Sequence, residues 1–202
     1  MTPEEVSEQV VRVKRAKMKR ESLSVSDKIR RALWIVVRSF LFRPSPRILH
    51  RWRVEILRVF GARVARSAHI YPTAKIWAPW NLEMGEHSCL GDDVDCYSVD
   101  KVTIGTNSTV SQYSFLCTAS HDIESVGFEL ITAPINIGEN VWIAADVFVC
   151  PGVSIGNNAV VYARANVLND VEPGSVVGPV GNRSLRQRRL QMSNVIASRK
   201  HK

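Results

Sequence analysis

At 202 residues, 45% hydrophobic and 23% charged, the chain has room for one ordinary domain plus an appendage, and its composition excludes a disordered protein. The net charge of +8 is divided unevenly: residues 1–66 carry +11, residues 67–182 carry −10, and residues 183–202 carry +7. An acidic body between basic ends is not the continuous basic surface of a duplex binder, so no nucleic-acid partner is expected.

Residues 1–25 are expected to form a solvated, partly helical basic extension; their first twenty positions are charged throughout, unlike a signal peptide. Residues 26–63 carry two amphipathic helices. Ser26-Asp27 reads as a start signal, and Ile29, Leu33, Val36, Val37, Phe40 and Leu41 fall on one face, with Pro44 and Pro46 as the stop. The second stretch, Ile48 to Phe60, contains Trp52 among Arg51, Arg53 and Arg58 and ends near Gly61. Two compatible roles are open: capping the domain that follows, or lying at a lipid interface, which the mixture of arginine with tryptophan, phenylalanine and leucine suits.

From Val64 an apolar residue returns every sixth position: Val64, Ile70, Ile76; Met84, Leu90, Cys96; Ile104, Val110, Leu116; Ile137, Ile143, Val149; Ile155, Val161, Val167. A small or short residue usually sits four positions later, with Trp80 and Asp100 as exceptions. One strand and one turn per six residues, three such units per coil, give a triangular prism of stacked parallel strands. The fifteen units divide into five coils: 64–81, 84–101, 104–121, 137–154 and 155–172. Leu82–Glu83 and Val102–Thr103 are inserts between coils. A β-sandwich would instead show period-two alternation and irregular strand spacing. The four cysteines, Cys89, Cys96, Cys117 and Cys150, form no CxxC pair and read as reduced thiols, in keeping with a cytoplasmic protein.

A smooth prism has no pocket, so chemistry is expected where the rhythm fails. It fails in "SFLCTASHDIESVGFELITAP": residues 122–136, directly after His121, cannot fit inside a coil and must project as a loop. Histidine titrates near neutral pH and suits general-base work on a hydroxyl. A zinc site needing three column histidines is disfavoured, because His69, His87 and His121 occupy unlike hexad positions.

With the hexads, "TASHD" and "PWNLEMGEHSCLGDDVDCYSVDKVTIG", the chain resembles the hexapeptide-repeat O-acetyltransferases, over about Arg30 to Arg188. Within them it is most similar to the colanic acid and exopolysaccharide branch and to the maltose and galactoside enzymes. The resemblance implies a mainly all-β fold: a left-handed parallel β-helix of about five coils spanning residues 64–182, with the N-terminal helices before it and a basic tail at residues 183–202. It implies a homotrimer that moves acetyl from acetyl-CoA directly to a hydroxyl of a sugar or lipid-linked saccharide, without a metal. It assigns His121 as the base, one ring nitrogen taking the acceptor proton while the other donates to a backbone carbonyl. Asp93 or Asp95, and more weakly Asn81 and Tyr97, match its acceptor-binding position. Trp142, Ala145 and Ala163 match its coenzyme groove, while Arg164, Arg183 and Arg188 would stand in for its phosphate contacts. Arg183 replaces a proline common in the family, and Leu168-Asn169 stands where many relatives have Thr-Lys. A non-catalytic trimeric scaffold, or an acyltransferase acting on a nucleotide sugar or amino sugar, is the alternative.

Overall fold

A computed structural model describes residues 19–20, 24–123, 125–179 and 184–187. Fifteen short parallel strands between Arg63 and Val167, wound in three sheets, form the body. The first sheet stacks Arg63–Val64, Leu82–Met84, Val102–Ile104, Ile135–Ile137 and Ser154–Ile155. The second stacks His69–Ile70, Cys89–Leu90, Thr109–Val110, Trp142–Ile143, Val160–Val161 and Ser175–Val177. The third stacks Lys75–Ile76, Asp95–Tyr97, Phe115–Cys117, Phe148–Val149 and Asn166–Val167. The chain visits the sheets in that order coil after coil, giving the parallel β-helix expected from the hexads, with the left hand that the resemblance implies.

All fifteen sixth-position apolar residues lie inside, none more than 3% exposed, and pair in register along their sheets. The short residues that follow them, such as Ala68, Ser88, Ser108, Val147 and Ala165, are buried as well and fill the corners. From the second coil onward, the turn residue three after the apolar one has positive φ between the first and second sheets and between the second and third. Asp93, Asn107, Asn140, Asp146 and Asn158 fill most of these places, as expected of side chains that tolerate left-handed backbone. Coils touch closely at the corner after the first sheet, where a Cβ on Gly105 would lie 2.4 Å from the Gly138 carbonyl oxygen.

Two expectations need correction. Leu82 and Val102 are not spacers: they open longer first-sheet strands, stack with Ile135, and are fully buried. The column also continues beyond five coils. After Val167 the hexad series would place Pro173 inside, but two residues are lost and Val171 bridges to Ile155 instead. Val177 then pairs beside Val161, and Ser184–Gln187 closes that sheet as an antiparallel strand. The result is a partial sixth coil.

Cys96, one of the inward ladder, has its thiol pushed up to about 12 by burial. It should therefore resist alkylation near neutral pH until the protein is denatured, as read by mass spectrometry; fast native labelling would contradict the ladder.

The helices cap the open end, one of the two roles left open, and the first helix does so with little of its apolar stripe. Helix α1 (Val25–Val37) begins two residues earlier than the sequence suggests, capped by the Ser24 hydroxyl, which accepts from the Asp27 backbone N–H at 3.1 Å. It passes through a π-helical turn at Arg38–Phe42 before the prolines, and helix α2 covers His50–Val59. The first coil would otherwise expose the carbonyls of its three strands. Each receives one side-chain donor: Arg58 Nη1 to Val64 at 2.8 Å, Arg53 Nε to Ile70 at 2.6 Å, and Trp34 Nε1 to Ile76 at 2.7 Å. Such donors blunt a sheet edge that would otherwise recruit another strand.

Helix α1 thus turns Trp34 inward, beside Phe42 and Phe60, with Arg30 stacked on Trp80 and Arg31 on Trp77. Of the six apolar positions that fall on one face, only Val37 packs on the core; Ile29, Leu33, Val36, Phe40 and Leu41 are exposed. The N-terminal extension also departs from expectation at residues 19–20, where Lys19–Arg20 forms a strand on the projecting segment. The remainder of 1–23 lies outside the described residues.

Candidate active site

The excursion from the column begins earlier than the sequence suggests. After Cys117 the chain leaves the third sheet, so His121 is not part of a coil. It ends a strand, Ala119–His121, that pairs antiparallel with Leu130–Thr132; Lys19–Arg20 adds a third strand to this hairpin. Pro134 and Ile135 return the chain to the first sheet.

The hairpin's base is locked to the column by buried hydroxyls. Thr118 Oγ1 donates to the Tyr97 carbonyl at 2.7 Å and accepts from the Asp100 backbone N–H at 2.9 Å. Asp100 receives the Lys101 N–H on one carboxylate oxygen and the Thr132 hydroxyl on the other, at 2.6 and 3.3 Å. Thr118 and Thr132 are wholly buried. Sequence reading missed this brace; its one visible trace is Asp100 itself, a carboxylate where the repeat calls for a small residue.

At the tip, Phe128 is held with φ of 46°, rare for an aromatic residue. Its carbonyl oxygen lies 2.6 Å from His121 Nδ1. A carbonyl can only accept, so Nδ1 carries a hydrogen, and in the neutral ring Nε2 keeps its lone pair. The imidazole is exposed to solvent, and Ile123, Val126 and Phe128 around the tip are exposed too.

The acceptor candidates do not converge on one point. Asn81 donates both amide hydrogens, to the Ser98 and Val99 carbonyls at 3.0 and 2.7 Å, so only its oxygen is free to face a ligand. Tyr97 faces outward on the third sheet, edge-on to Trp77 and Phe115, and its carbonyl holds the hairpin base. Asp95 lies on the same sheet between Lys75 and Phe115; burial raises its pKa, against the opposing charges of Lys75 and Arg38. Asp93 occupies a left-handed corner position between the second and third sheets, one sheet away from the hairpin.

The coenzyme candidates do converge. Trp142, Ala145 and Ala163 line one open groove with Gln112, Tyr162 and Pro179, at the corner between the second and third sheets. Trp142 is 50% exposed and donates through Nε1 to Ser111 Oγ at 3.2 Å. Arg164 is turned away to Asp146 at 3.4 Å. Arg183 and Arg188 lie outside the described residues. Within one chain the whole third sheet separates this groove from His121. Among the described residues no cluster of three or more His, Cys, Asp or Glu side chains is arranged to hold a metal ion.

Residues 134–169 match the family of bacterial transferase hexapeptides, six repeats. Over 145 residues the chain is 46% identical to the putative colanic acid biosynthesis acetyltransferase WcaF of Escherichia coli, covering 72% of this chain and 79% of that protein. It is 28% identical over 138 residues to the E. coli galactoside O-acetyltransferase, covering 67% and 68%. Its fold superposes with a TM-score of 0.72 on a hexapeptide-repeat acetyltransferase of Vibrio cholerae solved with acetyl-CoA, at 25% identity over 84% of this chain and 93% of that one. The hexad core, the projecting hairpin and these matches agree: the chain belongs to the hexapeptide-repeat acetyltransferases.

Proposed function

We propose that the protein transfers the acetyl group of acetyl-CoA directly to a hydroxyl of a sugar or exopolysaccharide precursor, with His121 as general base. The observation that carries this reading is the imidazole whose Nδ1–H is spent on the Phe128 carbonyl, leaving Nε2 bare and open to solvent. A sugar hydroxyl is too weak an acid to attack a thioester unaided. As its oxygen bonds to the carbonyl carbon, its proton passes to Nε2; the C–S bond then breaks and the departing thiolate takes that proton. The fixed tautomer supports such a cycle, because the Phe128 carbonyl stabilises the transient imidazolium.

The coenzyme has a natural bed in the groove of Trp142, Ala145 and Ala163, where small side chains let a pantetheine arm lie close to the strands. Because the third sheet separates that bed from His121, the reaction needs a neighbouring copy to set its groove beside the imidazole, and a homotrimer of columns meets that need. Arg164 would have to exchange Asp146 for a coenzyme phosphate, with Arg183 and Arg188 as further contacts; guanidinium suits that partner. Among the acceptor candidates Tyr97 and Asn81, tied to the hairpin's corner, are better placed than Asp93. The name of the E. coli relative supports an exopolysaccharide precursor as acceptor, and use of acetyl-CoA puts the reaction in the cytoplasm.

The test is acetyl-CoA turnover against a panel of free sugars, nucleotide sugars and lipid-linked oligosaccharides, following thiol release and product mass. An ester product on a sugar hydroxyl is expected. Amide formation on amino sugars alone, or no turnover with any acceptor, would overturn the reading.

A further inference from the structure

The stripe that helix α1 turns away from the column has no partner within the described chain. Val25, Ile29, Leu33, Val36 and Phe40 recur at helical spacing, and Val25 and Phe40 are 72% and 74% exposed. Over fifteen residues this row runs about 22 Å. Trp52 of α2 continues it, because its indole N–H donates to the Leu41 carbonyl at 3.0 Å; Ile48 and Val59 are exposed as well. A globular protein normally turns such a stripe inward. Here the inward side is already filled, by Trp34 and Phe42 and by arginines stacked on Trp77 and Trp80, so the apolar side is free for another surface.

Charge identifies that surface. Residues 24–60 contain nine Lys or Arg and two Asp or Glu, and Lys28, Arg43 and Arg51 are exposed beside the apolar row. Residues 67–182 carry −10. Near an anionic plane this separation of charge turns the helices toward the plane and holds the column away from it. A second copy of the chain would offer mainly an acidic column, or the same helices, whose excess of nine Lys or Arg over two Asp or Glu would then face its like. Among the described residues no helix is long and apolar enough to cross a membrane, so the contact lies in the plane of the surface.

We propose that α1 and the start of α2 dock in plane on an anionic phospholipid surface through Val25, Ile29, Leu33, Val36, Phe40 and Trp52. The full-length protein should float with vesicles of equal parts phosphatidylglycerol and phosphatidylcholine at low salt, and less well with phosphatidylcholine alone. A Leu33→Glu, Phe40→Glu double variant should lower partitioning at least about tenfold, since each buried side chain of this size adds substantially to binding. Its melting temperature should hold, because both side chains are exposed. Unchanged flotation of the double variant would mean that the basic segments alone bind, and would overturn the proposal. So would a wild-type protein that fails to float, or a double variant of altered oligomeric mass, which would assign the stripe to a second copy. Neither acetyl-CoA nor His121 enters this assay, so its failure leaves the transferase reading untouched.

Discussion

Replacing His121 with alanine is expected to lower kcat by about three orders of magnitude, the usual range for loss of a general base. That corresponds to roughly 4 kcal/mol of transition-state stabilisation. The KM for acetyl-CoA should move little, because the groove of Trp142, Ala145 and Ala163 lies across the third sheet from the histidine. A second variant separates base catalysis from mere positioning. In His121→Asn the amide can still donate to the Phe128 carbonyl but has no basic nitrogen to receive a proton. If proton transfer is the role, asparagine is as inactive as alanine while the fold and oligomeric mass persist. Recovery of a tenth or more of wild-type kcat by asparagine would instead show that His121 only braces the hairpin.

The largest stability effect is expected at Arg53, a fully buried guanidinium whose partners are carbonyl and hydroxyl oxygens and His50 Nδ1. Nε donates to the Ile70 carbonyl, Nη1 to the Ser45 hydroxyl and the Pro46 carbonyl, and Nη2 to the Arg47 carbonyl, between 2.6 and 2.8 Å. Burial pulls its pKa down, yet so many acceptors keep it charged. One side chain thus ties the Pro44–Pro46 connection and helix α2 to the first coil. Arg53→Met would take the donor from the buried Ile70 carbonyl and from three part-buried oxygens of Ser45, Pro46 and Arg47, at about 1–3 kcal/mol for each that water cannot reach. We expect a loss of about 3–5 kcal/mol in urea unfolding, with early proteolytic cleavage between residues 43 and 61 while the column stays protected. Lysine should restore little, because a single ammonium cannot match the planar fork. A loss under about 1 kcal/mol would show that the carbonyls find other donors.

The column was readable because it admits so few solutions: every sixth side chain must fill the same narrow interior, and the chain states this fifteen times. Its sixth coil was not, since dropping two residues after Val167 shifts the register and puts Pro173 where an aliphatic was due. Helix α1 was legible, but the way it turns was not. Periodicity reveals that a stripe exists, not which side meets the core. The open carbonyls of Val64, Ile70 and Ile76 decided that, drawing in the N–H donors of Arg58, Arg53 and Trp34.

The candidate site divides along the same line. Ala145 and Ala163 hold equivalent positions one coil apart, so stacking alone sets them together with Trp142. His121 announces itself by standing where the rhythm breaks. Asp93, Asp95, Asn81 and Tyr97 are close in sequence, yet a prism carries neighbours in the chain around its corners onto different sides. The Thr118–Asp100–Thr132 brace joins three segments through hydroxyl and carboxylate contacts that no spacing encodes.

The strand at Lys19–Arg20 sets a distance. Arg20 pairs with Ile131, and Ile131 with Ser120, the neighbour of His121. Adjacent strands lie about 4.8 Å apart, and the stretch from Arg20 to Val25 reaches at most roughly 18 Å. If the helix rests on a bilayer as proposed, the imidazole is leashed within about 30 Å of it. A glycan still fastened to its lipid would be presented inside that radius, whereas one already released would draw no benefit from the leash.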